Sequence, residues 1–326
     1  MRPNRPEWCR TLPAWYMATM LVTGVDENGL GPRLGPLVAT ALTLETPRYS
    51  RSVLCERGLR FGLTDSKETG GFGRMAFTES VALALLGQSG EGVPRSADAL
   101  LDRVFPDVQA RLKSCCPDVS TSEQCWGVDL ALPVFGGDPA IGRSLLARLV
   151  GRSKLRLVRV ESRIACAGIL NARLSSGQNK LGVDLELFED LIESVRRAHT
   201  SQLLVVCGMI GGIRDYGSRF RRFDSRRVRL LASRRGQRRY TVDGVGELRF
   251  EVDADARHLP VALASIVGKY VREVSMRRIG EFYRLGDPEL QLASGYHDPV
   301  TTRFIEATEL PRRRLGIVKD CFRRQA

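Results

Sequence analysis

The sequence contains no Cys-x-x-Cys pair and only three histidines, which argues against a zinc site of the usual spacing. Its eight cysteines (Cys9, Cys55, Cys115, Cys116, Cys125, Cys166, Cys207 and Cys321) are scattered, and the vicinal pair Cys115-Cys116 is unsuited to an ordinary bridge. A reduced, cytoplasmic compartment is therefore expected. No apolar run approaches the length of a bilayer span, so no membrane segment is expected. The stretch Met1–Thr23 places Arg2, Arg5, Glu7 and Arg10 before a short apolar segment but lacks the small-residue pattern of a leader-cleavage site. No internal repeat and no long low-complexity tract is present.

What the chain does have is length and positive charge. Its 326 residues are 43% apolar, enough for a sizeable core. The net charge is +13 and the pI about 9.8, with Arg used far more than Lys. Such a balance favours an anionic partner, most often nucleic acid, although an Arg-rich soluble protein has the same composition.

The apolar patterning outlines an α/β chain. Met20–Val25 reads as a buried strand, Asp26–Pro36 as a Gly- and Pro-rich loop, and Leu37–Leu44 as a second strand closing a hairpin. Thr69–Leu86 has helical spacing. The stretch from about 87 to 151 is interrupted by Gly-Gln-Ser-Gly, Cys-Cys-Pro-Asp and Gly-Gly-Asp-Pro and reads as an insertion, with short helices near Ala97–Lys113 and Ala140–Val150. A strand at Leu155–Ala165, an amphipathic helix at Leu185–Arg197 and a strand at Leu203–Val206 follow, as in a parallel crossover. Hairpin strands are expected at Val228–Ala232, Tyr240–Val242 and Glu247–Val252. Between Arg214 and Arg239 lies a dense arginine run interleaved with Phe220, Phe223 and Tyr240, which reads either as extra phosphate contacts with stacking rings or as a solvated loop. The helix Pro260–Tyr283 carries an apolar stripe of Leu263, Ile266, Val267, Tyr270, Val274 and Ile279. The expected organisation is an N-terminal tail over 1–19, one domain over 20–310 with the insertion, and a basic tail over 311–326.

The sharpest local signal is Asp26-Glu27-Asn28-Gly29-Leu30-Gly31-Pro32, two acids leaving a buried strand into a Gly-rich turn. Two carboxylates at such a place need neutralising, and a hard divalent cation does so through oxygen ligands. Gly29 and Gly31 let backbone amides approach a phosphate. Standing alone, the segment also reads as a polar hairpin turn.

Four segments in order make the chain resemble a type 2 ribonuclease H, the bacterial ribonuclease HII group. Asp26–Pro32 resembles that family's Asp-Glu-Ala-Gly-Arg-Gly-Pro. Asp65-Ser66-Lys67 matches its Asp-Ser-Lys. Ala264-Ser265-Ile266-Val267-Gly268-Lys269-Tyr270-Val271-Arg272-Glu273 resembles its Ala-Ser-Ile-x-Ala-Lys-Val-x-Arg-Asp helix. Ser294-Gly295-Tyr296-His297-Asp298-Pro299-Val300-Thr301 resembles its Ser-Gly-Tyr-Pro-x-Asp-Pro-x-Thr stretch.

The resemblance implies a ribonuclease H-like fold, a mixed sheet flanked by helices with a C-terminal helical part. It also implies four carboxylates holding two ions, Mg²⁺ or Mn²⁺, that cleave RNA in an RNA–DNA hybrid or at a ribonucleotide in duplex DNA. Carried over, Asp26 and Glu27 match the first two carboxylates and Asp255, ten residues before Ser265, matches the fourth, with Asp253 as a nearby alternative. The third has no counterpart, since Cys207 or Gly208 occupies its place in Leu203-Leu204-Val205-Val206-Cys207-Gly208. A thiolate suits softer metals than Mg²⁺. The loop arginine that contacts the nucleic-acid backbone is replaced by Leu30, and Arg33 is the nearest cation that could approach the same phosphate. Lys67 is expected at a phosphate and Tyr296 against a sugar. The chain thus reads as a metal-dependent endoribonuclease with a degenerate site or, alternatively, as a catalytically inactive nucleic-acid-binding protein on the same fold.

Overall fold

The structure, a computed structural model, describes residues 19–63, 75–88, 92–105 and 123–325. Most of the expected N-terminal tail, the Asp65-Ser66-Lys67 motif with its Lys67, and Cys115-Cys116 lie outside the described residues.

The strands are β1 (Met20–Asn28), β2 (Leu37–Thr46), β3 (Arg156–Ala165), β4 (Leu203–Gly208), β5 (Val228–Arg234), β6 (Gln237–Val242) and β7 (Gly246–Glu251). The described helices are α1 (Arg51–Arg60), α2 (Met75–Gln88), α3 (Ala97–Val104), α4 (Pro139–Ser153), α5 (Ala167–Ser175), α6 (Lys180–Ala198), α7 (Ala254–Arg257), α8 (Leu259–Arg284), α9 (Pro299–Ala307), α10 (Glu309–Arg314) and α11 (Lys319–Phe322). The strands form one mixed sheet in the order β3-β2-β1-β4-β7-β6-β5. β1 pairs antiparallel with β2 and parallel with β4, and β4 pairs parallel with β7. Parallel neighbours need a crossover, and α6 supplies the element leading into β4. This is the α/β architecture that the alternation of apolar segments implied. Among the described residues no helix is long and apolar enough to cross a membrane.

Both faces of the sheet are covered. On one, Val25 and Cys207 join Leu185, Phe188, Leu191 and Ile192 of α6 in a single apolar cluster. On the other, Val38 and Leu42 meet Leu263, Ile266, Val267, Tyr270 and Val274 of α8. The stripe expected along Pro260–Tyr283 is thus the buried face of a helix one residue longer at each end. Gly24 is what lets α8 come this close, since a Cβ there would collide with the backbone of Pro260 and Val261. Whole-strand burial on two faces explains why β1 and β4 read as continuous apolar runs instead of alternating ones.

Two expectations need correction. The first strand does not end at Val25, because its ladder with β2 continues through Asn28 and the loop begins at Gly29, whose φ is +90°. Asp26 and Glu27 are therefore strand residues with fixed directions. Second, Phe220, Phe223 and Tyr240 are not stacking groups for bases. All three are buried, in the α6-facing cluster with Phe250. Several of the intervening arginines are committed to α6, where Glu186 receives Arg221 at 3.0 Å, Asp190 receives Arg222, and Glu193 receives Arg226 at 3.6 Å. Acids at this near-helical spacing share one face of α6, and the arginine run lies along it.

The described part of residues 87–151 packs into the α8-facing core through Leu100, Leu101, Val104, Phe105, Leu146 and Leu149. Its anchor is Glu79 of α2, fully buried, which accepts the N–H groups of Val134, Phe135 and Gly137 at 2.7–2.8 Å and the Tyr270 hydroxyl at 3.0 Å. A buried carboxylate survives when it is hydrogen-bonded in this way.

A second buried carboxylate ties the arginine run down. Glu189 accepts the backbone N–H groups of Arg221, Arg222 and Phe223 at 3.0–3.3 Å, while burial pushes its carboxyl up to about 7. A carboxyl held above its unfolded value favours the folded state below pH 4.5 and loses that contribution as pH rises through 7. Glu189→Gln is expected to flatten the dependence of stability on pH between 4.5 and 7, measured by urea unfolding across that window. An unchanged slope would show that Glu189 does not titrate in the folded protein.

Candidate functional site

The site begins where the sheet ends. β1 carries Asp26 and Glu27 opposite Thr40 and Ala39 of β2, so pairing with β2 fixes where both carboxylates project. The chain then breaks at Gly29 and forms a loop through Gly31 and Pro32. Together these residues make one wall of a cleft of about 340 Å³. The facing wall comes from the β7–α8 connection, with Asp253 and Asp255, and from α8 itself, with Ser265 and Lys269. Tyr296 closes the rim and is 42% exposed. Ligand sites at the carboxyl ends of parallel strands are the general rule for such sheets.

The turn that carries the two facing acids is itself constrained. Asp253 has φ +52°, in the left-handed region that a non-glycine residue adopts at some cost. Asp255 lies in the first turn of α7, where its Oδ1 accepts the N–H of Ala256 at 3.0 Å. Behind it, His258 bridges Glu251 at 3.1 Å and the Tyr49 hydroxyl at 2.6 Å, all within the protein. The hydrogen bond from His258, together with that from Gln237, holds the Glu251 carboxyl down to about 2. This chain pins the α7–α8 junction to the sheet.

Strand geometry resolves the third-carboxylate position. Cys207 pairs with Val25 and faces the apolar α6 side. Burial, reinforced by the charges of Asp26, Asp184 and Glu27, raises its thiol well above the ordinary value, so no thiolate is offered. Gly208 faces the other way. A Cβ at this position would stand 2.7 Å from Asp26 Oδ1 and 3.6 Å from Glu27 Oε2. The place from which a third carboxylate would reach the pair is thus occupied by the one residue without a side chain.

Asp184, which the sequence reading passed over, is the acid nearest in kind. It sits in the first turns of α6, fully buried, and neither carboxylate oxygen has a hydrogen-bond partner. Burial first, and the charge of Asp26 second, push its carboxyl well above the usual range. The available signal was an acid four residues before Phe188 on the apolar face of an amphipathic helix. Lys269 and Ser265 were also visible within the α8 motif, but only the cleft shows that they face Asp26 and Glu27.

The remaining expected residues are placed as follows. Gly29, Gly31 and Tyr296 line the cleft. Arg33 does not, and its guanidinium donates to Thr302 Oγ1 at 3.0 Å. Tyr296 lies over the buried guanidinium of Arg272, 4.5 Å from ring centre to Cζ, and Arg272 also donates to Ser294 O at 2.9 Å. Leu30 packs against Leu37, Leu170 and Val183 as an apolar anchor for the loop.

In chemistry, the carboxylates of Asp26 and Glu27 suit a hard divalent cation that keeps most of its water and takes one or two protein carboxylates plus substrate oxygens. They do not make a four-carboxylate, two-ion centre. Position 208 carries no side-chain carboxylate, and among the described residues no three Asp, Glu, His or Cys side chains converge closely enough to hold an ion as placed.

A buried acid without partners lowers stability wherever it is forced to ionise. The Asp184 carboxyl lies above its unfolded value of 3.8, so its contribution to folding diminishes as pH rises from there. Asp184→Asn is expected to raise the thermal midpoint at pH 8, with a gain that shrinks toward pH 4, by calorimetry across the range. A variant less stable than the parent at pH 8 would show that a positive charge already compensates Asp184.

No curated protein matches the sequence. Among solved structures, the chain is similar to ribonuclease HII in the PCNA:RNase HII complex from Archaeoglobus fulgidus, at 16% identity over 94% of this chain and 97% of that one, with a TM-score of 0.47. It is similar to ribonuclease H2 from Pyrococcus horikoshii OT3, at 16% identity over 93% and 92%, with a TM-score of 0.44. Bst-RNase HIII in complex with Mn²⁺ is similar at 16% identity over 96% of this chain and 68% of that one, with a TM-score of 0.45. The family model described as Ribonuclease HII matches residues 152–324, a span that takes in β4, β7, α8 and the Tyr296 segment. That match covers more than half of the sequence, and the chain belongs to the ribonuclease HII family.

Proposed function

We propose that this protein is a metal-dependent endonuclease of the ribonuclease H type, acting on RNA within an RNA–DNA hybrid or at ribonucleotides in duplex DNA with a reduced set of carboxylates. The observation that carries the proposal is a single cleft. It presents Asp26 and Glu27 on one wall, Asp255 on the other, and both a Gly-rich loop and Tyr296 at its rim. Membership of the family supports a nucleic-acid substrate.

The residues divide the work by chemistry. Asp26 and Glu27 would hold one Mg²⁺ or Mn²⁺ and, through it, fix the scissile phosphate. When bound, such an ion would supply Lewis-acid stabilisation of the negative charge that develops on the phosphoryl oxygens and would lower the pKa of the attacking water. Asp255, set across the cleft on a pinned turn, would orient that water and accept its proton. Lys269 lies within the same walls, held near Glu273 at 3.9 Å, and would balance the negative charge of a phosphate brought between the acids. Tyr296 offers an exposed ring face to the sugar.

One observation favours a second reading, a protein of the same fold that binds nucleic acid without cutting it. Gly208 leaves the carboxylate pair without its third member. The two readings part in one experiment on purified protein with a hybrid, an all-DNA duplex and a duplex containing one ribonucleotide, in Mg²⁺ and then Mn²⁺. Cleavage of either ribonucleotide-containing substrate that falls at least about 100-fold in Asp26→Asn supports the nuclease. Binding without cleavage in the parent, and cleavage appearing in Gly208→Asp, marks a decayed nuclease. Cys207→Asp is the control and is expected not to restore cutting, because position 207 faces the α6 core. If the parent neither binds nor cuts any of the three, both readings fail.

A further inference from the structure

The Gly-rich loop of the cleft is held from a distant part of the sequence. Arg324 is 4% exposed, and its guanidinium donates to Gly29 O at 2.6 Å and to Leu30 O at 3.4 Å. Its own backbone N–H donates to Arg33 O at 2.9 Å, and Leu34 and Arg323 form an isolated antiparallel bridge. The segment is fastened in turn by Asn171. That side chain donates to Asp320 O and Arg323 O at 2.8 and 2.9 Å and accepts the Gln325 N–H at 2.8 Å. Residues expected to form a basic tail thus hold, from behind, the loop that lines the cleft.

Two consequences follow from peptide geometry and charge. In a trans peptide the C=O and the following N–H point in opposite directions. Drawing the carbonyls of Gly29 and Leu30 toward Arg324 therefore turns the N–H groups of Leu30 and Gly31 the other way, and both residues line the cleft. Neither N–H donates to another group among the described residues. Second, Arg324 has no carboxylate within ion-pair distance among the described residues, and its Nε, like that of Arg272, is buried without a partner. Burial and the nearby charge of Arg272 lower its pKa to about 10. A buried cation without an anion is costly, and a phosphate brought to the loop would supply that anion.

We propose that Arg324 is a positioning residue for nucleic acid: its fork on the Gly29 and Leu30 carbonyls presents the Leu30 and Gly31 amides to a backbone phosphate, whose charge its own guanidinium offsets. This rests on the nucleic-acid reading of the cleft. It assigns to the segment Lys319–Gln325 a part in substrate binding. Leu30 then serves as an apolar anchor, while the positive charge arrives from beneath the loop instead of from its tip.

The test is fluorescence anisotropy of a labelled RNA–DNA hybrid against KCl concentration, for the parent, Arg324→Ala and Arg324→Lys, with thermal melts of each. Arg324→Ala is expected to bind about tenfold more weakly, with the slope of log K against log salt reduced by about one. Arg324→Lys keeps the charge, so it should keep the parent's slope while losing affinity, because an ammonium cannot fork across two carbonyls. A purely structural role would lower the melting temperature and leave affinity and slope unchanged well below it, and that result overturns the proposal. If Arg324→Ala does not fold, Arg324→Lys decides, and a Lys variant with the parent's affinity overturns it. A parent that binds no hybrid overturns the nucleic-acid reading itself, whereas a parent that binds alongside variants that bind equally overturns only the role of Arg324.

Discussion

Everything at the cleft depends on the pairing of β1 between an antiparallel and a parallel neighbour. Ladders on both sides leave the strand no freedom to twist or slip, so Asp26 and Glu27 emerge in set directions at its end. Side chains alternate along a strand, and the same pairing that buries Val25 with Cys207 aims Gly208 at the two carboxylates. The close approach of α8 over Gly24 brings Ser265 and Lys269 to the same place. One register thus decides which residues can meet at the site and which cannot.

Charge is distributed in two regimes. Outside, the arginine run is paired with the acids of α6, so a part of the large positive charge is spent locally and is not a free surface for phosphates. Inside, the balance is uneven. Asp26, Glu27, Asp184 and the Cys207 thiol influence one another at one end of β1 and β4, while Arg272 and Arg324 lie buried behind the loop. Like charges kept close in a region of low dielectric are expensive. Acids thus gather at the cleft, while behind the loop Arg272 pairs with Glu273 at 2.6 Å and Arg324 has no carboxylate within ion-pair distance among the described residues.

Three buried polar groups outside the cleft keep this arrangement rigid. Glu79 fixes the Val134–Gly137 segment, Glu189 fixes Arg221–Phe223 within the arginine run, and the Tyr49–His258–Glu251 chain fixes the α7–α8 junction. Each carboxylate accepts hydrogen bonds from an irregular segment that has no ladder of its own, so side chains do for these loops what strand pairing does for the sheet.

The sequence by itself determined the elements and the kind of chemistry. Apolar runs of strand length and the long stripe from Leu263 to Ile279 are dictated by burial, which acts on local patterns and is therefore legible locally. Asp26 and Glu27 stood out as polar residues leaving an apolar strand, whereas Asp255 was reached only through the resemblance to a known family, by its place ten residues before Ser265. Only the tertiary structure decided the rest. Whether Cys207 or Gly208 faced the acids turned on strand alternation, and a single step of register reverses it. The burial of Phe220, Phe223 and Tyr240 depended on which face of the sheet α6 covers. Asp184 and Arg324 lie 158 and 298 residues from Asp26, and no spacing rule connects positions that meet only through packing. Local chemistry is written in the order of residues, whereas the company each residue keeps is set by how the sheet pairs and what closes over it.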